Sequence, residues 1–303
     1  MTDSKQFDVI IIGGSYAGLS AALALGRSLR SVLIIDAGEP CNRQTPHSQN
    51  FLTHDGDQPA EISNQAKQDV LAYETVQWHN GIAVSGEKTD KGFRVHTETG
   101  EEYTSTKLLL ATGLKDVMPD IKGFKECWGI TAIHCPYCHG YEFSNQKTAL
   151  MANGERAIHL ASLIKNLTSD LTILTNGKPD FTPEQVELLK QNNLAIINDN
   201  ILELEHEQGY IRNVVFNNGK KIPFSAMYAA IPFVQYDIAG ALGVEFTEHG
   251  HIKINAAQHT TVDGVYACGD NSNAMRSVAN AVYAGNITGA MINKALADEK
   301  FFG

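Results

Sequence analysis

The stretch FDVIIIGGSYAGLSAALALG, Phe7 to Gly26, constrains the fold of this chain more than any other. Its β-branched apolar run, Phe7 to Ile12, reads as a buried strand; a glycine turn follows, and a small-residue helix begins at about Ala17. SVLIID then gives a second buried strand ending in Asp36, 23 positions after Gly13 (36 − 13). A βαβ unit with an acidic residue at that distance is the dinucleotide-binding pattern. Gly13 permits the tight turn, and Gly18 lets the helix pack closely on the strand. The first-turn N–H groups, with their partial positive charge, face a pyrophosphate, and Asp36 is placed to hold a ribose hydroxyl. In one respect the pattern departs. Its middle glycine is Ser15, which takes up room beside the phosphate and adds a hydroxyl donor.

With 303 residues, 43% of them hydrophobic, the chain is long enough for about two domains with sizeable cores. The net charge of −10 provides no basic field for a phosphate backbone or anionic lipid, so neither nucleic acid nor a membrane surface is expected as a partner. Apolar runs such as Val9–Ile12 and Leu108–Ala111 fall far short of the roughly 18 residues of a spanning helix. The start, MTDSKQFDVIIIGG, passes from a polar arm straight into a strand, without the pattern of a secretory leader, so a cytoplasmic location is expected. Thiols are kept reduced there, so a paired CxxC needs a reason.

The string HCPYCHGYE, His134 to Glu142, carries such a pair. Its CxxCH pattern matches covalent haem attachment, which belongs to exported proteins. His134, Cys135, Cys138 and His139 also offer zinc ligands in a row, but structural zinc sites draw ligand pairs from separated segments and no second pair exists here; no metal is expected. A reversible dithiol is the third reading. Cys41, Cys127 and Cys268 have no partner in sequence and read as lone thiols.

Two later segments complete the pattern. KLLLATG, Lys107 to Gly113, is a buried strand ending in a small-residue turn; GVYACGD, Gly264 to Asp270, is a strand ending in Gly-Asp before the helical run RSVANAVYAGNITGAMINKAL. In this order around a central CxxC, the motifs resemble the low-molecular-weight thioredoxin reductase group of two-domain FAD disulfide oxidoreductases, over nearly the whole chain. That resemblance implies an α/β, two-domain FAD/NAD(P)-binding Rossmann-like fold. The FAD domain is discontinuous, 1–115 and 235–303, and the smaller domain, 116–234, carries the CxxC. It assigns FAD to Gly13, Gly14, Ser15, Ala17, Gly18 and Asp36, to Thr112 and Gly113, and to Gly269 and Asp270. Asn50 falls where the family contacts the flavin ring; His47 and His54, which flank it, read as structural. A helix starting near Arg276, with Ser277 and Val278, is expected to aim N–H groups at the flavin edge that gathers charge on reduction. A homodimer is implied as well.

The second nucleotide loop fails informatively. KTALMANGERAIHLASLI stands where the family carries its NADPH loop, but Ala152 replaces the first glycine and only Lys178 stands near the place of the arginine pair that meets the 2′-phosphate. NAD(P)H binding is therefore in doubt. The family places Cys138 against the flavin and leaves Cys135 to exchange with substrate. A helix N-terminus at the CxxC would lower a thiol pKa, and His139 is expected to be the general acid/base. Together these imply an FAD-dependent dithiol/disulfide oxidoreductase acting on a small-molecule or thioredoxin-like dithiol or disulfide. It is expected to run as a dithiol oxidase with oxygen as acceptor, as gliotoxin-type thiol oxidases do. The alternatives are a disulfide reductase fed by NAD(P)H or ferredoxin, and a non-catalytic flavin-bound redox sensor.

Overall fold

The computed structural model describes residues 6–303; the polar arm, 1–5, lies outside the described residues. Contacts divide the described residues into two compact units, one of residues 6–43, 51–115 and 233–303, the other of 44–50 and 116–232. Residues 44–50, placed in the first domain on sequence, thus cluster with the second unit.

The first unit is built on a seven-stranded sheet. Strands Val76–Asn80, Val32–Asp36, Gln6–Ile12 and Glu102–Leu110 run parallel in that order. Glu102–Leu110 is long enough to hold two neighbours on its other side: the antiparallel strand Gly92–Thr97 pairs with its first half and the parallel strand Val265–Ala267 with its second. The apolar runs are continuous because both faces are covered. Val9, Ile11 and Leu109 pack under the Tyr16–Arg27 helix through Leu19, Ala22 and Leu25, while Ile10, Ile12 and Leu108 face a second cluster with Phe93 and Ile238. Each such fully buried aliphatic side chain contributes about 1.5–3 kcal/mol.

The 25-residue helix Val278–Phe302 lies against Tyr16–Arg27 at very short range. A Cβ at Gly285 would sit 2.1 Å from Ala17 O, and one at Gly289 would sit 2.5 Å from Ala21 O, so only glycine allows this approach.

In the second unit five parallel strands follow the order Ala195–Ile197, Leu171–Leu174, Thr148–Met151, Ala226–Ala229, Ala132–Ile133. A three-stranded antiparallel sheet, Ile201–Glu207, Tyr210–Phe216 and Lys221–Ile222, packs its apolar residues with those of Phe124 and Trp128. No helix among the described residues is long and apolar enough to cross a membrane.

Candidate functional site

Strand register decides which turns meet. In the first sheet Ile12 pairs with both Ile35 and Leu110, and Leu110 with Ala267. The turns that follow these strands therefore share the carboxyl edge, where parallel α/β sheets bind ligands. Register brings together Gly13, Gly14 and Ser15, then Asp36, then Thr112 and Gly113, then Gly269 and Asp270.

The backbone at this edge is cut for a close approach. Gly13 has φ 104°, and a Cβ there would lie 2.2 Å from Ala111 O; a Cβ on Gly18 would lie 1.9 Å from Gly13 O. Gly14 is crowded by the Trp78 ring, 2.3 Å from its would-be Cβ. Gly14 N donates to Asp36 Oδ1 at 2.8 Å, and Gly38 N to Oδ2 at 3.1 Å, so the carboxylate is fixed beside the turn. The Tyr16–Arg27 helix starts at Ser15 with no side-chain cap and no acidic residue in its first turn. Its N-terminal N–H groups are thus open to an anion, with the helix dipole behind them. Gly269, at φ 84°, comes so near the helix that its would-be Cβ lies 3.0 Å from Ala17 Cβ. These residues fit the pyrophosphate and adenosine half of FAD.

Sequence reasoning missed the residue that ties two of these turns together. Asn271, fully buried, donates through Nδ2 to Leu110 O at 2.9 Å and to Thr112 Oγ1 at 3.1 Å, bridging the Gly-Asp turn to the Ala-Thr-Gly turn. An Asn after Gly-Asp is unremarkable in sequence; its partner lies 159 positions away. Asp270 Oδ2 lies 3.5 Å from Arg276 Nε. The helix expected near Arg276 begins at Val278, with Ser277 as its N-cap accepting from Asn280 N at 3.1 Å. Asn50, held at φ 59°, belongs to the 44–50 stretch that clusters with the second unit. His54 is paired with Asp57 at 2.9 Å and stacked on Phe51.

The dithiol sits at the carboxyl edge of the second sheet. Strand Ala132–Ile133 leads through His134 into Cys135, the N-cap of the helix Pro136–His139. Pro136 pre-sets the first helical φ, and Cys138 N donates to Cys135 O at 3.3 Å. The helix has four residues, a single turn, so the helix dipole expected to tune the thiols is small here. Tuning falls to neighbouring groups. Burial lowers the His139 pKa below its ordinary 6.5. The imidazole is then neutral at pH 7 and able to accept a thiol proton, and it loses that capacity only as pH falls through its depressed pKa. His139→Ala is expected to slow dithiol turnover about 10²-fold and to erase the acidic limb of the pH–rate profile, without loss of flavin. An unchanged acidic limb would remove His139 from this role.

The same edge carries the second glycine turn, after strand Thr148–Met151, and it differs from the first. Here Asn153 fills the turn. Its Oδ1 accepts from Gly154 N at 3.0 Å and from Asp180 N at 2.8 Å, while Nδ2 donates to Lys178 O at 2.9 Å. This folds the Lys178–Asp180 segment over the N-terminus of the Gly154–Ile164 helix. Gly154 takes φ 55°, and its would-be Cβ would lie 3.1 Å from Asp180 O. The first turn of that helix carries the acidic Glu155, and Lys178 is exposed. Where the first unit's turn is open, the second unit's turn is occupied by the Asn153 amide and the returning Asp180 backbone.

Among the described residues no group of three or more His, Cys, Asp and Glu side chains could hold a metal ion.

Comparison with known proteins agrees with this architecture. The family model described as pyridine nucleotide-disulphide oxidoreductase matches residues 7–285. The chain is 31% identical over 311 residues to thioredoxin reductase tcpT of Claviceps purpurea, covering 98% of this chain and 96% of that protein. It is 30% identical to thioredoxin reductase sirT of Leptosphaeria maculans, covering 95% and 93%. A solved structure of an oxidoreductase from Agrobacterium tumefaciens superposes with a TM-score of 0.88 at 36% identity, covering 97% of this chain and 99% of that one.

Proposed function

The chain belongs to the pyridine nucleotide-disulphide oxidoreductase family, and from that premise we propose that this flavin enzyme of the thioredoxin reductase type works as a dithiol oxidase, with oxygen as acceptor. The observation that carries the reading is the closed second loop, in which Asn153 occupies Gly154 N and pins Asp180 over the helix N-terminus. A second glycine turn occupied by the Asn153 amide is a poor host for a nucleotide pyrophosphate, and this favours an electron source other than NAD(P)H. In this reading the donor is a dithiol substrate, with a carrier such as ferredoxin as the alternative.

Cys135 and Cys138 carry the exchange. A substrate thiolate attacks Cys135 of the Cys135–Cys138 disulfide, forming a mixed disulfide and releasing Cys138 as thiolate. The second substrate thiol then attacks the substrate sulfur of that mixed disulfide, and Cys135 is released. The substrate leaves as a disulfide, having given two electrons to the pair; His139, neutral at pH 7, takes a proton released by the thiols. The Gly13–Gly18 turn, Asp36 and the Asp270 turn would hold FAD, which would supply a two-electron acceptor between the reduced pair and oxygen. The balance is one dithiol and one O2 to one disulfide and one hydrogen peroxide.

Oxygen uptake on adding dithiothreitol to the purified enzyme tests this. Catalytic uptake, with peroxide formed in step, is expected. NADPH-driven reduction of a disulfide without dithiol-driven oxygen uptake would identify a reductase, the activity named in the Claviceps and Leptosphaeria relatives. A single stoichiometric reduction with no turnover would identify a redox sensor.

A further inference from the structure

Trp78 stands on Val76–Asn80, the edge strand of the first sheet, and its indole reaches past the neighbouring strand to the first glycine turn. Trp78 pairs with Ile34, whose strand pairs in turn with the one ending at Ile12, so Gly14 lies two strands away, about 10 Å at the usual spacing. The largest of the natural side chains spans that gap. A Cβ on Gly14 would lie 2.3 Å from Trp78 Cη2, 2.8 Å from Cζ3 and 2.9 Å from Asp36 Cβ. The tip of the indole and the Asp36 side chain therefore back the turn from the same side.

The ring is anchored at three points. Its tip meets Gly14, its Nε1–H donates to Asn80 Oδ1 at 2.9 Å, and Lys67 Nζ, from the helix Pro59–Leu71, lies 3.6 Å from the ring centroid as a cation on the indole face. Asn80 in turn pairs with Asp36 at the strand ends. Packing alone would leave the plane of a half-buried ring on an edge strand loosely set; these contacts fix it beneath one turn. At that turn Gly14 N donates to Asp36 Oδ1 at 2.8 Å.

We propose that Trp78, braced by Lys67, is a positioning residue for the adenosine half of FAD. Its indole floors the Gly14 turn and so holds Gly14 and Asp36 in the binding arrangement before the cofactor arrives. Removing the ring would leave a space beneath the turn. The Gly14–Asp36 pair would then have to be ordered by the cofactor itself, and ordering on binding weakens affinity. The inference rests on FAD binding at this sheet edge, and it holds whichever way the electrons flow.

The measurement is FAD release on dilution of the holoenzyme, followed by the recovery of free-flavin fluorescence. The parent is compared with Trp78→Ala, Trp78→Phe, Lys67→Met and, as a packing control, Val70→Ala, which lies buried in the same core cluster. Trp78→Ala is expected to raise the FAD dissociation constant about tenfold, Lys67→Met about threefold, and Trp78→Phe, which keeps a ring, by less than Trp78→Ala. ADP displacement at saturating FAD locates the loss. When the adenosine half is what weakens, ADP and FAD lose affinity together, and the ADP concentration that displaces half of the FAD stays at the parent's value. The absorption spectrum of the flavin that remains bound should also be unchanged. Val70→Ala should lower the melting temperature and keep its FAD. Parent-like FAD retention in Trp78→Ala would overturn the proposal, and so would an equal loss in Val70→Ala, which would make Trp78 a packing residue only. Half-displacement at an ADP concentration about tenfold lower would place the effect on the flavin half and overturn it as well. Should Trp78→Ala fail to fold, Trp78→Phe and Lys67→Met carry the test, and parent-like retention in both would sink the idea.

Discussion

Dithiothreitol is expected to bleach the flavin of the anaerobic enzyme about 100-fold faster than NADH or NADPH at equal concentration, because the second nucleotide loop offers little to bind. In the first loop the helix starts without a side-chain cap or acid, leaving its N–H groups to an anion. In the second, Gly154 N is already bonded to Asn153 Oδ1, and the backbone of Asp180 is drawn over the same turn. A pyrophosphate would have to displace those bonds and sit among Glu155 and Asp180. Losing two hydrogen bonds to a charged group and the arginine pair of the family's loop accounts for a few kcal/mol, or two orders of magnitude in affinity. Stopped-flow absorbance with the three reductants in parallel measures it. Asn153→Gly should raise the NAD(P)H rate and leave the dithiol rate as it was. Fast bleaching of the parent by micromolar NADPH would show that the nucleotide binds in another way and would undo the oxidase reading.

Cys135→Ser and Cys138→Ser should each lower dithiol turnover by about 10³-fold or more, since neither sulfur alone can form the internal disulfide. The two variants should differ in what they trap. With Cys138 replaced, Cys135 can attack an aromatic disulfide reagent and keep half of it as a mixed disulfide that no neighbouring thiol resolves. Intact-protein mass and the released aromatic thiolate count that adduct. With Cys135 replaced, the adduct should be formed far more slowly. The exchanging thiol is misassigned if Cys138 traps the reagent and Cys135 does not. Parent-like turnover in both variants would remove the dithiol from the chemistry altogether.

Sequence alone determined the features whose cause is local. The β-branched run before Gly13, the acid at Asp36 and the Cys135–Cys138 spacing each act within a few residues, through dihedral preference, side-chain size or thiol chemistry. The loss of the first glycine at Ala152 could likewise be read directly, because the pattern it breaks is contiguous. Long-range register decided the rest. Asn271 meets Thr112 only because Ala267 pairs with Leu110, and Trp78 reaches the Gly14 turn only because it pairs with Ile34. Asn153 reads in sequence as a loop residue; its carbonyl becomes a latch when the chain returns at Lys178–Asp180. The one-turn length of the CPYC helix and the clustering of 44–50 with the second unit were likewise beyond local signals. Patterns within a strand or turn specify what a residue can do. Which buried group stands beside it depends on pairing between segments far apart in the chain, and that information resides in the packing of the whole domain rather than in any one stretch of it.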